Sequence, residues 1–206
     1  MVEDRRGDVP LYLLLAACCL LLFVAGCGRP ASFEQSLQAA RAAKDEAFRT
    51  ASDSPIPAEK RATFLPLKYF PPDPSFQAPA VLQPSGAAGA RLTMPTSAGE
   101  MREMIRIGRL EFTLKGRPLA LGAFTEAASP NLDRLFVPFA DLTTGTETYP
   151  GGRYLDLDRT PTGLYLIDFN KAYNPYCYYN PAYDCPYPPA ENRLPIAIRA
   201  GEKITP

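Results

Sequence analysis

The chain has 206 residues, 46% of them hydrophobic, enough to bury one substantial core without requiring a second domain. Its 22 Lys and Arg balance its 22 Asp and Glu, and no basic cluster disturbs that balance, which argues against a nucleic-acid partner. The complete absence of histidine excludes Ser-His-Asp and Cys-His nucleophile activation and removes the commonest ligand of catalytic zinc.

At the amino terminus, Arg5 and Arg6 precede "LYLLLAACCLLLFV", fourteen uncharged positions from Leu11 to Val24. As a helix these span about 21 Å, short of the roughly 30 Å of a bilayer core, which is the length of a signal-peptide apolar region. The segment ends in "VAGC", Val24 to Cys27, which resembles the lipobox of bacterial lipoproteins, where the cysteine is acylated and becomes the first mature residue. The expected organisation is therefore a lipoprotein signal peptide at 1–26, a lipidated tether at 27–31 and one β-rich domain at 32–206. Palmitate-type acyl chains on Cys27 would hold the protein on a membrane surface in the cell envelope, extracytoplasmic, with the bilayer as a partner.

"SFEQSLQAARAAKDEAFRTAS", 32–52, opens with Ser32 and Gln35, the form of a capping box. It places Phe33, Leu37, Ala40, Ala47, Phe48 and Ala51 near one face, predicting an amphipathic helix packed outside the domain. "ATFLPLKYF", 62–70, is expected to be a strand after a helical turn at 57–61, and the Pro/Ala/Gly-rich 71–90 a connection. Alternation in "REMIRIGRLEFTL", 102–114, the tight turn "KGR" and "PLALGAF", 118–124, predict a hairpin. "LFVPFADL", 135–142, and "RYLDLD", 153–158, predict another, followed by strands at 164–170 and 193–200. Short connections favour antiparallel neighbours, so the fold is expected to be mainly β: an antiparallel meander forming a barrel or sandwich.

Six tyrosines, at 173, 176, 178, 179, 183 and 187, fall in or beside the proline-rich stretch 174–192, which also holds Cys177 and Cys185. The expected pocket is walled by loop 170–192 and by Arg153-Tyr154, with Arg153, Tyr154, Asn170, Tyr173, Asn174 and Asn192 as ligand-binding candidates for a small-molecule or polymeric ligand. The tyrosines suit either a stacking wall or a lid. Arg153 offers a fork of donors to a carboxylate or phosphate, or an internal partner for Asp168 or Glu191. Asp168 and Glu191 are the candidate catalytic pair of a histidine-independent hydrolase, if burial raised one of them; structural capping and a purely structural envelope role are the rival readings. Cys177 and Cys185 are expected to form a disulfide after export. A metal clip drawing on Asp168, Asp184 or Glu191, and a pair of free thiols, are the alternatives. No nucleotide-binding loop is present, and no cofactor or metal is expected.

The strings "TGTETYPGGRYLDLD", "LIDFNKAYNPYC", "CPYPPAENRLPI" and "IRAGEK", with "AAKDEAF", "LPLKYF" and "MPTSAGEMREMIRIGRLEF" upstream, resemble the domain of unknown function 1684 family of bacterial and archaeal proteins. The resemblance implies no settled activity, substrate or catalytic residue. The family's cysteine pair matches Cys177 and Cys185, including in members that look cytoplasmic, and Tyr178 stands where alanine is usual.

Overall fold

The computed structural model describes residues 31–86, 90–128, 130–131 and 133–205. The apolar segment 11–24 and Cys27 lie outside the described residues, and no described helix is long and apolar enough to cross a membrane. The elements below belong to one compact unit that begins at Phe33.

In chain order these are helix α1 (Phe33–Thr50), a short helix α2 (Arg61–Phe64), and strands β1 (Gln77–Pro84), β2 (Ala90–Pro95), β3 (Met101–Leu114), β4 (Arg117–Glu126), β5 (Arg134–Phe139), β6 (Arg153–Asp158) and β7 (Leu164–Asp168). A four-residue helix, α3 (Tyr176–Tyr179), follows. The seven strands form one antiparallel sheet in the order β6-β5-β4-β3-β1-β7, with β2 also paired to β3. The fold is thus mainly β, a nearly closed barrel. Tyr154 on β6 bridges Tyr173, just past β7, where the two ends of the sheet approach.

β3 and β4 form the predicted hairpin, with Leu114 opposite Arg117. The two residues between them, Lys115 at φ 49° and Gly116 at φ 74°, take the left-handed conformations that match the twist of paired strands. β3 to β6 run as a meander, but β1 and β2 both return to the same edge of the long β3, β1 along 108–112 and β2 along 101–106. β1 is a correction, since 71–90 read as a connection. Its prolines sit where one neighbour is missing: Pro79 lies where only β7 pairs and Pro84 where only β3 does. A proline at such a strand end sacrifices no ladder bond.

Two expected strands do not form. Residues 61–64 are helical, and 65–70 run extended with a single bridge at Tyr69–Glu202. Residues 193–200 are buried at Leu194, Ile198 and Ala200 but join the sheet only at the Ala140–Arg193 bridge. The carbonyls of Ile198 and Ala200 are taken by the Arg153 guanidinium, which leaves them unavailable to a strand partner.

The main core fills the barrel with Leu110, Phe112, Leu121, Leu135, Val137, Leu155, Ile167, Phe169 and their neighbours. Phe139 and Phe169 meet edge to face with centroids 5.2 Å apart. α1 packs outside on a second cluster of Phe48, Ile56, Leu67 and Tyr179. Leu37 and Phe48 are buried as expected, but Ala40 and Ala47 face solvent, and Arg41 and Lys44 turn inward instead. Arg41 donates to the carbonyl of Phe70 at 3.0 Å and lies 4.3 Å over the Tyr69 ring, while Lys44 reaches Glu202 at 2.5 Å. Long cations bury their stems and deliver their heads to fixed acceptors, so the helix is docked by polar anchors as well as by apolar area.

Candidate functional site

Two polar assemblies organise the molecule, and the first is a structural node. Arg153 is fully buried; it pairs with Asp141 at 3.0 Å and donates to the carbonyls of Ile198, Ala200 and Glu202. Burial pulls its pKa down, with Asp141 as the largest opposing influence. Asp141 in turn accepts from the amides of Thr143 and Ile198 and from the Thr143 hydroxyl. Arg153 therefore faces no ligand, and its partner is neither Asp168 nor Glu191. Next to it, Gly201 at φ 79° turns the chain where a Cβ would lie 2.6 Å from the Ala172 carbonyl oxygen. That turn places the Glu202 carboxylate inside, where it accepts from Lys44, the Asn174 amide and the Tyr179 hydroxyl.

The other predicted residues divide. Asn170 is buried and tied to Asp73 by two bonds of 2.9 Å; Asn174 is buried and donates to the carbonyl of Lys203. Asn192 bonds the amide and carbonyl of Gly122 and the carbonyl of Pro138, stitching β4 to β5. None of the three lines the cavity described below. Asp168 caps the turn after β7, accepting from the amide and side chain of Asn170 and from Gln77. Glu191 is ion-paired with Arg106. Asp168 thus sits at the β1–β7 pairing beside Gln77, beyond the start of the β1–β3 ladder at Ala80 and Phe112, whereas Glu191 is held at Arg106, midway along β3. Each carboxylate is engaged by its own partners, and neither lines the cavity described below.

The second assembly is a cavity of about 580 Å³ on the sheet face opposite the main core. Its wall comes from alternate residues on four adjacent strands: Arg102 and Met104 on β3, Phe124 and Glu126 on β4, Arg134 and Phe136 on β5, Tyr154 and Asp156 on β6. The register sets Met104 opposite Glu126, Phe124 opposite Phe136 and Phe136 opposite Asp156, which aligns these pairs in a row. Its cover comes from Lys44 and Phe48 of α1 and from the stretch 173–186, including Tyr173, Tyr176 and Tyr183. Tyr154 and Tyr173 are thus the two candidates that reach the cavity. The tyrosine stretch serves in part as wall and in part as lid, since Tyr179 is buried under α1.

The charges at the cavity are answered from within. Arg102 pairs with Asp184 at 3.1 Å and Glu126 at 3.5 Å, and Arg134 with Asp158 at 3.5 Å and Asp156 at 4.0 Å. Lys44 is held by Glu202. The Tyr154 hydroxyl donates to the carbonyl of Pro186 at 2.5 Å and that of Tyr173 to Asp156 at 2.9 Å. Burial raises both phenols, with nearby thiols adding to the effect at Tyr154 and Asp156 at Tyr173, so they stay neutral. What faces the interior is ring surface: Phe136 and Tyr154 pack edge to face at 4.7 Å, and Tyr176 and Tyr183 at 5.2 Å. A second hollow of about 760 Å³, more open, lies by Arg109, Glu111, Pro118 and Arg193 and has no aromatic wall of this kind.

Cys177 and Cys185 are brought together but are free thiols, which corrects the expected disulfide. The Cys177 amide donates to the Cys185 sulfur at 3.2 Å, and the Tyr149 hydroxyl lies 3.7 Å from the Cys177 sulfur. The sulfurs are engaged in hydrogen bonds, with each other and with these neighbours, instead of a covalent bridge. Among the described residues no three of His, Cys, Asp or Glu gather as a metal-binding group, so Asp168, Asp184 and Glu191 do not complete a clip with the cysteines.

Sequence reasoning placed Tyr154 of β6 in the cavity wall but missed the residues contributed by β3, β4 and β5. A signal was present: "LALGAF" and "LFVPF" are continuous apolar runs without alternation, the pattern of strands covered on both faces. β4 is buried from Leu121 to Thr125 without a break, and β5 from Val137 to Phe139. The inward cations of α1 carried no such signal.

A solution NMR structure of an uncharacterized protein from Haloarcula marismortui is similar to this chain, at 38% identity and a TM-score of 0.65, covering 84% of this chain and 94% of that one. No curated protein matches. A family profile described as "Protein of unknown function (DUF1684)" matches residues 62–203, which span the sheet, the buried node and most of the cavity wall. The chain belongs to the DUF1684 family.

Proposed function

We propose that the protein is a lipid-anchored envelope lipoprotein whose β-rich domain binds an uncharged, largely apolar ligand in the aromatic cavity. The observation that carries this reading is the combination of ring-lined volume with internally paired charge. A pocket of about 580 Å³ falls within the range of small-molecule sites. An ionic ligand would have to displace Arg102 or Arg134 from carboxylates already in place, and it would gain little by doing so. A neutral ring or acyl group meets Phe136, Tyr154, Tyr173, Tyr176 and Tyr183 without breaking any bond, and apolar burial favours it at about 25 cal/mol per Å².

The test is fluorescence titration with neutral N-phenyl-1-naphthylamine beside its anionic analogue 8-anilinonaphthalene-1-sulfonate. The neutral probe is expected to bind with micromolar affinity and the anion much more weakly, and Phe136→Ala to weaken the neutral probe about tenfold, or 1.4 kcal/mol. Preference for the anion, or a Phe136→Ala protein that binds as well as the parent, defeats the reading. The anchoring half rests on the uncharged segment 11–24 ending at Cys27. Cys27→Ser is expected to abolish acyl labelling and block processing at that site, and mass spectrometry of the membrane fraction checks it.

A further inference from the structure

We infer that Cys177 and Cys185 form a redox-active dithiol, in which Cys177 attacks low-molecular-weight disulfides and Cys185 resolves the mixed disulfide. The two differ in the way such a pair requires. Cys177 lies in the first turn of α3 and is partly exposed, whereas Cys185 is only 7% exposed and faces the cavity wall. The Cys185 sulfur already sits 3.2 Å from the Cys177 amide, so bringing the sulfurs into bonding distance needs no rearrangement of the strands. The loop between them is anchored to the sheet: the Cys185 amide donates to the Ser97 hydroxyl at 3.0 Å, and the Ser97 amide to the Cys185 carbonyl at 2.9 Å. Cys185 is therefore held in place beside Cys177, so its approach to a disulfide formed on Cys177 is short and directed.

The chemistry balances with a small disulfide RSSR as oxidant. The Cys177 thiolate attacks one sulfur, breaking the S–S bond and releasing one RS⁻. Cys185 then gives up its proton to a released thiolate or water and attacks the Cys177 sulfur, expelling the second RS⁻. RSSR is reduced by two electrons to two RSH, and the cysteine pair is oxidised to a disulfide.

The surroundings assign the roles. Cys177 faces Cys185, the Ser97 hydroxyl from the β2–β3 turn and the Tyr149 hydroxyl; Tyr187, Asp184 and Arg102 on β3 stand around the pair. The Cys185 thiol, followed by Ser97 and Tyr149, donates to Cys177 and holds it down at about 6 against the opposing effect of burial. Donating that bond, together with burial, pushes Cys185 up. An ordinary thiol near 8.5 is about 3% ionised at pH 7, so Cys177 carries roughly thirtyfold more thiolate. Nucleophilicity falls with basicity, and a Brønsted slope of about 0.45 returns roughly thirteenfold of that. The net advantage is about twofold at pH 7 but about eighteenfold at pH 5.5, so the pH profile is the informative readout.

The experiment treats the full-length chain in detergent with oxidised glutathione and resolves the products by peptide mass spectrometry. The parent is expected to yield a 177–185 cross-linked peptide with two glutathiones released per bridge, at a rate rising with a midpoint near pH 6. Cys185→Ser should stop with one glutathione on Cys177, and Cys177→Ser should leave Cys185 unmodified. Iodoacetamide on the reduced parent, which needs no variant to fold, should alkylate Cys177 before Cys185. Absence of the cross-link, primary attack at Cys185, or a midpoint near pH 8.5 overturns the assignment.

Discussion

Arg153 and Arg134 are both arginines set against aspartates, one inside the barrel and the other at the mouth of the cavity. Arg153 is wholly buried, and its bonds go to Asp141 and to three backbone carbonyls from a segment that would otherwise lack partners. The Arg134 side chain is 53% exposed, and its carboxylates are 3.5 and 4.0 Å away, with Asp158 almost entirely in water. The same chemical pair thus holds the chain together in one place and only sets the local field in the other. Removing charge from the node should cost stability, while removing it from the mouth should alter what binds.

The largest effect belongs to Arg153→Met. The substitution strands Asp141 as an uncompensated buried charge and leaves the carbonyls of Ile198, Ala200 and Glu202 without their donor. Breaking a buried pair on one side typically costs about 3 to 5 kcal/mol, and equilibrium urea unfolding is expected to report a loss in that range. Arg153→Lys should rescue little of it, because one ammonium cannot reproduce a planar fork serving four acceptors. A loss below about 1 kcal/mol would show the node to be dispensable.

Next comes Asn192→Ala, which unties β4 from β5 by deleting three hydrogen bonds inside the fold. Stranding buried amide and carbonyl groups costs about 1 to 3 kcal/mol, and a fall of about 3 kcal/mol in unfolding free energy is expected from the same denaturation series. Because Asn192 lies away from the cavity wall, neutral-probe affinity in the folded population should stay within about twofold.

These two residues also mark where the sequence was and was not readable. β3 and β6 were legible from their alternation, and β4 and β5 as apolar, strand-forming runs set off by turns, while α1 was placed to within two residues of each end. Prolines concealed β1, which tolerates them only because each lies where one neighbour has ended. The segment 193–200 carries strand-like alternation but spends its carbonyls on Arg153, a long-range contact that no local pattern encodes. At the site, Tyr154 and Tyr173 were legible as aromatic wall. Asn170, Asn174 and Asn192 were not separable from ligand contacts, since an asparagine bonding buried backbone looks in sequence like one awaiting a ligand.

The smallest stability effect is expected from Arg134→Ala, and it sharpens the comparison most. Exposed ion pairs contribute about 0 to 1 kcal/mol, so unfolding should shift by less than about 0.5 kcal/mol. The local field changes more. Asp156, which accepts from the Tyr173 hydroxyl at 2.9 Å and lines the cavity, loses its nearest cation, while Asp158 is already solvated. The mouth then carries an unbalanced negative charge beside the rings of Tyr154 and Tyr173, whose faces are also electronegative. A cationic aromatic probe should gain affinity roughly three- to tenfold, equivalent to about 0.7 to 1.4 kcal/mol, and that gain should fade in molar salt as the Debye length shrinks to about 3 Å. N-phenyl-1-naphthylamine, being neutral, should bind as before. If instead the neutral probe lost affinity with the cation, Arg134 would be supporting the shape of the cavity and not its charge, and the contrast with Arg153 would be one of degree.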